Sequence, residues 1–195
     1  SHIDHDSETF EEGVMQVRPG HFLKVDLKDN AINETEWYKL QPRTWSGTEQ
    51  EATEAFAAVL KDAVKLRMRS DVPVGSALSG GLDSSTIVCL MRQVLDDEGH
   101  QQKQLETVTS SSLDKRYDET HYAELVNQQT NSHSHKTYPS FEKLQDDFDR
   151  LLWHMDYPFG STSQFSQWCV FEAAGKAGLT VMIDGQGADE QLAGY

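Results

Sequence analysis

The stretch Ser79-Gly80-Gly81-Leu82-Asp83-Ser84-Ser85 decides how this chain is read, because it lies between the apolar run Val74 to Leu78 and the helical pattern Thr86-Ile87-Val88-Cys89-Leu90-Met91. A turn between a strand and a helix presents unpaired backbone N–H groups and the positive end of a helix dipole, which together attract an anion. Gly80 and Gly81 open conformations closed to other residues and let the backbone approach a phosphate closely. Ser79, Ser84 and Ser85 add hydroxyl donors. Asp83 would repel a phosphate unless a cation lay between them, so Mg2+ is expected there. A bare Ser-Gly-Gly is better explained as a helix cap, and it is the flanking strand and helix that favour a phosphate site.

No lysine follows the glycines, so this is not the Gly-x-x-x-x-Gly-Lys-Ser/Thr loop, and the spacing does not fit a dinucleotide Gly-x-Gly-x-x-Gly turn. The segment resembles the loop of the pyrophosphate-loop ATPases, which split ATP between its α and β phosphates.

Outward from this loop, strands and helices alternate. A capping box at Thr48 and Glu51 opens a long helix with Ala52, Phe56, Val59, Leu60, Ala63 and Leu66 on one face. Strands are predicted at 74–78, 105–110, 133–138 and 179–183, and helices at 84–97, at 118–129 (apolar at Tyr122, Leu125 and Val126), from Phe141 to Met155, and around Phe165, Trp168, Cys169 and Phe171. Alternation of this kind predicts an α/β fold with a doubly wound parallel sheet and ligands at the carboxyl ends of its strands. Residues 1–43 differ. Val14 to Val17 and His21 to Asp26 read as two short strands joined by Arg18-Pro19-Gly20, too few for a core of their own, and so as the tail of another domain preceding the unit 44–195.

The 195 residues carry a formal charge of −15, which disfavours nucleic acid as a partner and fits a small-molecule substrate. Cys89 and Cys169 have no metal or disulfide spacing and read as buried, inert thiols, pointing to a reducing cytoplasm. No apolar run reaches the length of a membrane span and no secretory leader is recognisable, so a soluble protein is expected. The eight histidines are scattered; His133 and His135 alone are close, and strand alternation explains them without a zinc site. The acidic runs Asp96-Asp97-Glu98 and Asp146-Asp147 read as solvated helix faces.

A second loop repeats the logic of the first. Asp184-Gly185-Gln186-Gly187-Ala188-Asp189-Glu190 follows the last strand, with glycines for close approach and carboxylates at a strand's carboxyl end. If the two strands are neighbours at the switch point of the sheet, Asp83 and Asp189 can hold metal from both sides of a pyrophosphate.

Taken in order, Pro73-Val74-Gly75, Ser79 to Ser85, Tyr117-Asp118-Glu119 with Tyr122-Ala123, Gly185 to Glu190 and Gly194-Tyr195 resemble the synthetase domain of glutamine-dependent asparagine synthetases. Thr9 to Val14 and Arg18-Pro19-Gly20-His21 resemble the last strands of that family's glutaminase domain. The resemblance implies ATP and Mg2+ as cofactors. It implies ATP binding by Leu78, Ser79, Gly80, Gly81, Leu82, Asp83, Ser84, Ser85, Ser110, Asp184 and Gly185, metal at Asp83 and Asp189, and Glu190 and Tyr195 toward the substrate. The implied reaction adenylates an aspartate or related carboxylate, and ammonia from glutamine then attacks; the resemblance also implies a cytoplasmic full-length protein, with a homodimer as its candidate assembly. A β-lactam synthetase-like enzyme, a related amidotransferase and a noncatalytic adenine-nucleotide module are the alternatives. Three departures stand out. The chain starts at Ser1 rather than the family's nucleophilic cysteine, it stops at Tyr195 before the family's catalytic lysine, and Asp184 and Gln186 replace the usual serine and acid. Alone, residues 1–195 are therefore expected to turn over neither glutamine nor ATP.

Overall fold

The computed structural model describes residues 7–112, 114, 116 and 118–194. The chain divides into two units, 1–48 and 49–195.

In the first unit, β1 (His21–Val25) pairs antiparallel with β2 (Ile32–Glu36), from His21 opposite Glu36 to Val25 opposite Ile32. The predicted strand at Val14 to Val17 is reduced to a single bridge between Glu8 and Met15, because Gly13 at φ +79° turns the chain back on itself and Gln16 N–H donates to the Ser7 carbonyl. The true partner, Ile32-Asn33-Glu34-Thr35-Glu36, has one apolar residue and so no alternation to find. Its pairing is backbone hydrogen bonding plus the Arg18 to Glu34 ion pair at 2.9 Å.

The second unit opens with α1 (Glu49–Arg67), followed by β3 (Val74–Ala77), α2 (Leu82–Asp97), β4 (Leu105–Ser110), α3 (Thr120–Thr130) and β5 (Ser132–Thr137). Then come α4 (Phe141–Met155), α5 (Ser163–Lys176), β6 (Val181–Ile183) and the short α6 (Ala188–Leu192). The four strands form one parallel sheet in the order β5-β4-β3-β6, as the alternation predicts.

Both faces are covered. On one, Val64 of α1, Ile87, Val88, Met91 and Leu95 of α2, and Ala123 of α3 pack on Leu78, Leu105 and Ile183. On the other, Val170 and Ala174 of α5 pack on Val108 and Leu179. Leu151 of α4 joins Phe165 and Cys169 of α5 in an outer layer. Gly75 lets β3 and β6 come together, since a Cβ there would lie 2.7 Å from Leu179 Cδ1 and 3.2 Å from Met182 Sδ.

The expected apolar faces are only partly the buried ones. Phe56, Val59 and Leu66 of α1, and Tyr122 and Leu125 of α3, are exposed. On α3 the row facing the sheet is Ala123, Asn127 and Thr130; Thr107 Oγ1 donates to the Asn127 Oδ1 at 2.7 Å, while the Asn127 Nδ2 is buried without a partner among the described residues. Cys169 is fully buried while Cys89 is only half-buried, and burial pushes both thiols up in pKa.

Asp147 is the clearest correction to the sequence reading. It is not on a solvated face but buried, accepting from Lys143 Nζ at 2.5 Å, Trp168 Nε1 at 3.1 Å and Arg150 Nη1 at 3.3 Å. Its neighbour Asp146 takes the outward side, and one helical step of rotation separates the two environments. The Lys143 ammonium, and after it the Trp168 indole, hold the Asp147 carboxyl below the usual aspartate range. A depressed carboxyl contributes stability that is present at neutral pH and lost as pH falls from the ordinary aspartate value through the folded one. Asp147→Asn is therefore expected to cost about 2 kcal/mol at pH 7, in the range for a hydrogen bond to a charged group. Urea unfolding should show that difference shrinking as the pH is taken down into the acid range; a difference that stays constant to pH 3 refutes the assignment.

Candidate functional site

From β3 the chain steps outward to β4 and β5, then returns through α4 and α5 to place β6 on the other side of β3. The switch point of the sheet thus lies between β3 and β6, where an open parallel sheet leaves a crevice at its carboxyl edge. The two strands run in register from Val74 opposite Val181 to Ser76 opposite Ile183, and Ser76 Oγ donates to the buried Ile183 carbonyl at 2.9 Å. Both glycine-containing loops leave this pair.

The first loop is braced by its own hydroxyls. Gly81 N–H donates to Ser79 Oγ (3.2 Å), Ser79 N–H donates to Ser84 Oγ (3.3 Å), and Ser84 Oγ donates to the Gly81 carbonyl (3.3 Å). The Ser79 and Ser84 hydroxyls lie 3.0 Å apart, and either can donate to the other. The backbone at the start of α2, whose N-cap Gly81 receives no side-chain cap, is also directed at an anion. Ser85 Oγ is buried without a hydrogen-bond partner. Gly80, at φ +92°, sits against α3, where a Cβ would lie 2.7 Å from Tyr122 Cβ and 2.8 Å from the Ala123 nitrogen.

The second loop turns at Asp184, whose Oδ1 accepts from Gly185 N–H at 2.7 Å, and enters α6 through Gly187 at φ +89°. The two loops touch at Gly185. A Cβ there would lie 3.1 Å from the carbonyl carbon and Cβ of Asp83 and from the Ser84 nitrogen. Between them is a polar crevice of about 170 Å3 lined by Ser79, Asp83, Ser84, Asp184, Gly185, Gln186, Gly187, Ala188, Asp189 and Glu190. A larger, more apolar cleft of about 400 Å3 adjoins it, sharing Asp83, Asp184, Gly185, Gln186 and Ala188 and bounded by Phe56, Leu60 and Ala63 of α1 and Ile87 of α2.

Asp83 and Asp189 face the crevice with no cationic side chain paired to either among the described residues. Carboxylates left unpaired beside an uncapped helix start and two glycines fit an anion with an oxygen-liganded cation.

The remaining expected residues are placed elsewhere. Leu78 is buried in the core, and its backbone is used by Val108 and Thr109. Ser110 is exposed at the end of β4, and Leu82 points into solvent. None of these three lines the crevice. Tyr117 and Tyr195 lie outside the described residues. Asp118 is fixed beside the end of β4. Thr120 Oγ1 hydrogen-bonds it, and at 2.8 Å approaches Ser111 Oγ, so the Thr120 contacts hold the Asp118 carboxyl low in pKa. Gly187 and Ala188 line the crevice without having been singled out, their only signal being membership of the second loop.

A family model for asparagine synthase matches residues 55–195. The chain belongs to the asparagine synthase family. The family's relatives include a putative glutamine-hydrolysing asparagine synthetase 2 from Methanocaldococcus jannaschii, 37% identical over 173 residues, covering 89% of this chain and 32% of that protein. The amidase chyE of Penicillium rubens is 28% identical over 201 residues, covering 97% of this chain and 30% of that protein. The chain thus spans about a third of the length of these curated relatives. Among solved structures, an NH3-dependent NAD synthetase from Campylobacter jejuni overlaps 77% of this chain and 62% of its own at 16% identity, with a TM-score of 0.45. Among the described residues no helix is long and apolar enough to cross a membrane.

Proposed function

We propose that this member of the asparagine synthase family forms the adenylating site of an ATP-dependent amide ligase, in which a carboxylate attacks the α-phosphorus of ATP and pyrophosphate leaves. The observation that carries this reading is the contact of the two loops at Gly185, which sets Asp83 and Asp189 in one crevice at the switch point of the sheet. A carboxylate resists ammonia because its oxide is a poor leaving group, and adenylation replaces that oxide with AMP. The work left to the protein is positioning and charge compensation.

The start of α2 orients the phosphate chain, Gly185 keeps a side chain out of the contact between the two loops, Gly80 lets the first loop lie against α3, and Ser79 and Ser84 hold the loop's shape. Asp83 and Asp189 hold Mg2+, which when bound offsets the negative charge of the pyrophosphate leaving group. Glu190 lies on the acceptor side, and Asp184 and Gly185 stand beside the nucleotide. Aspartate is the proposed acceptor and ammonia released from glutamine the proposed nucleophile, giving asparagine.

The test is to incubate the full-length protein with Mg2+-ATP, ammonia and a panel of carboxylates, and to separate the nucleotides. Aspartate-dependent AMP and pyrophosphate are expected, with asparagine formed in equal amount. Release of ADP and phosphate overturns the adenylation chemistry. AMP formation with another carboxylate and not with aspartate keeps the chemistry and overturns the acceptor, an outcome to which Gln186 and Asp184 make the screen directly relevant.

A further inference from the structure

At the opposite edge of the sheet, β4 and β5 run in register with Glu106 opposite His133 and Val108 opposite His135. Two residues apart on one strand, His133 and His135 share a face, and Glu106 comes to the same face from the neighbouring strand. One carboxylate oxygen, Glu106 Oε2, lies 3.1 Å from His133 Nδ1 and 2.6 Å from His135 Nε2. One donor atom from each of the three residues falls within 4.8 Å of the others, the only such group among the described residues.

We propose that Glu106, His133 and His135 form a binding site for a late first-row divalent ion, with Zn2+ the best fit. Imidazole nitrogen with carboxylate oxygen is the donor set such ions take, whereas Mg2+ prefers oxygen alone. Tetrahedral coordination at about 2.0 to 2.2 Å spaces neighbouring ligand atoms about 3.3 Å apart, so Glu106 Oε2, at 3.1 Å from His133 Nδ1 and 2.6 Å from His135 Nε2, has to separate from each by less than about 1 Å. No lysine or arginine pairs with Glu106 among the described residues. Lys136 is turned to the other face by strand alternation, where it pairs with Glu124 of α3. His133 is largely exposed, which leaves an open side for water to complete the shell. The trio is on the edge pair β4–β5, whereas the crevice lies between β3 and β6, so the ion is separate from the one proposed for the pyrophosphate. Its effect is to tie the edge strand to the sheet through side chains as well as backbone.

The experiment is calorimetric titration of ZnCl2 into tag-free full-length protein in the presence of excess Mg2+. One Zn2+ per chain is expected, accompanied by a rise in Tm. Glutamine in place of either histidine keeps a hydrogen bond to Glu106 but is a poor ligand, so His133→Gln and His135→Gln should each weaken binding by about tenfold or more, and Glu106→Gln likewise. His100→Gln, on a distant turn, should change nothing. Zn2+ binding that survives the His133→Gln/His135→Gln double substitution, or no stoichiometric binding in the unsubstituted protein, overturns the site. If the double variant does not fold, Co2+ added to the unsubstituted protein decides. Visible bands of nitrogen-ligated, low-coordinate Co2+ support the site, and a spectrum like that of the hydrated ion refutes it.

Discussion

Asp83→Ala and Asp189→Ala are each expected to lower carboxylate-dependent ATP/pyrophosphate exchange by the full-length protein about a hundredfold to a thousandfold, or about 3 to 4 kcal/mol of transition-state stabilisation. The magnitude follows from where the charge is. In the proposed reaction pyrophosphate would leave as a polyanion into a crevice that already holds carboxylates, which is tolerable only if a cation sits between them. Removing either carboxylate weakens the hold on that cation. Both side chains are at the surface of the crevice rather than in the core, so unfolding midpoints should barely change. Exchange rates unaffected by both substitutions would exclude the proposed metal ligands.

Gly80→Val is expected to destabilise the fold by on the order of 4 kcal/mol. Two causes add: a β-branched residue at φ +92° is strained by about 1 to 3 kcal/mol, and overfilling a packed contact costs about as much again. The new Cβ would overlap the Ala123 nitrogen as well as a side chain, so a rotamer change cannot relieve it. For a chain of this size each kcal/mol moves Tm by about 2 to 4 °C, so a fall of about 8 to 16 °C is expected by scanning calorimetry. A Tm within 2 °C of the unsubstituted protein would show that the turn relaxes away from α3. Gly81→Ala is the useful comparison, because Gly81 is extended at φ −67° and its Cβ meets nothing closer than Ser79 Oγ at 3.4 Å; its effect should be small.

The two loops were legible in the sequence because glycine, serine and aspartate clustered after an apolar run have few structural uses. The sheet was legible because alternating apolar strands and helices have one common solution. Asp147 was not, because nothing in Asp146-Asp147 says which of two adjacent carboxyls turns toward Lys143 and Trp168. The buried row of α3 was hidden for a related reason. Asn127 and Thr130 are polar, and burial is made tolerable by a partner from another element for the Asn127 Oδ1 and from the helix backbone for the Thr130 hydroxyl, although the Asn127 Nδ2 is left without one among the described residues. Ser79 and Ser84 were rightly placed in the first loop, but whether a hydroxyl faces outward or braces its own loop depends on geometry that composition does not carry.

Residues near in sequence therefore determined local features by themselves: the strand–loop–helix unit around Ser79 to Ser85, the second acidic turn at Asp184 to Glu190, and the parallel architecture that follows from their repetition. Their physical basis is short-range, in backbone freedom at glycine, helix-end polarity and apolar periodicity. Only the tertiary structure decided which strands are neighbours. It set β6 beside β3, bringing residues about a hundred positions apart into contact at Gly185, and it set Glu106 between His133 and His135. Strand order and register arise from packing both faces of the sheet at once, a condition on the whole core that no single segment contains.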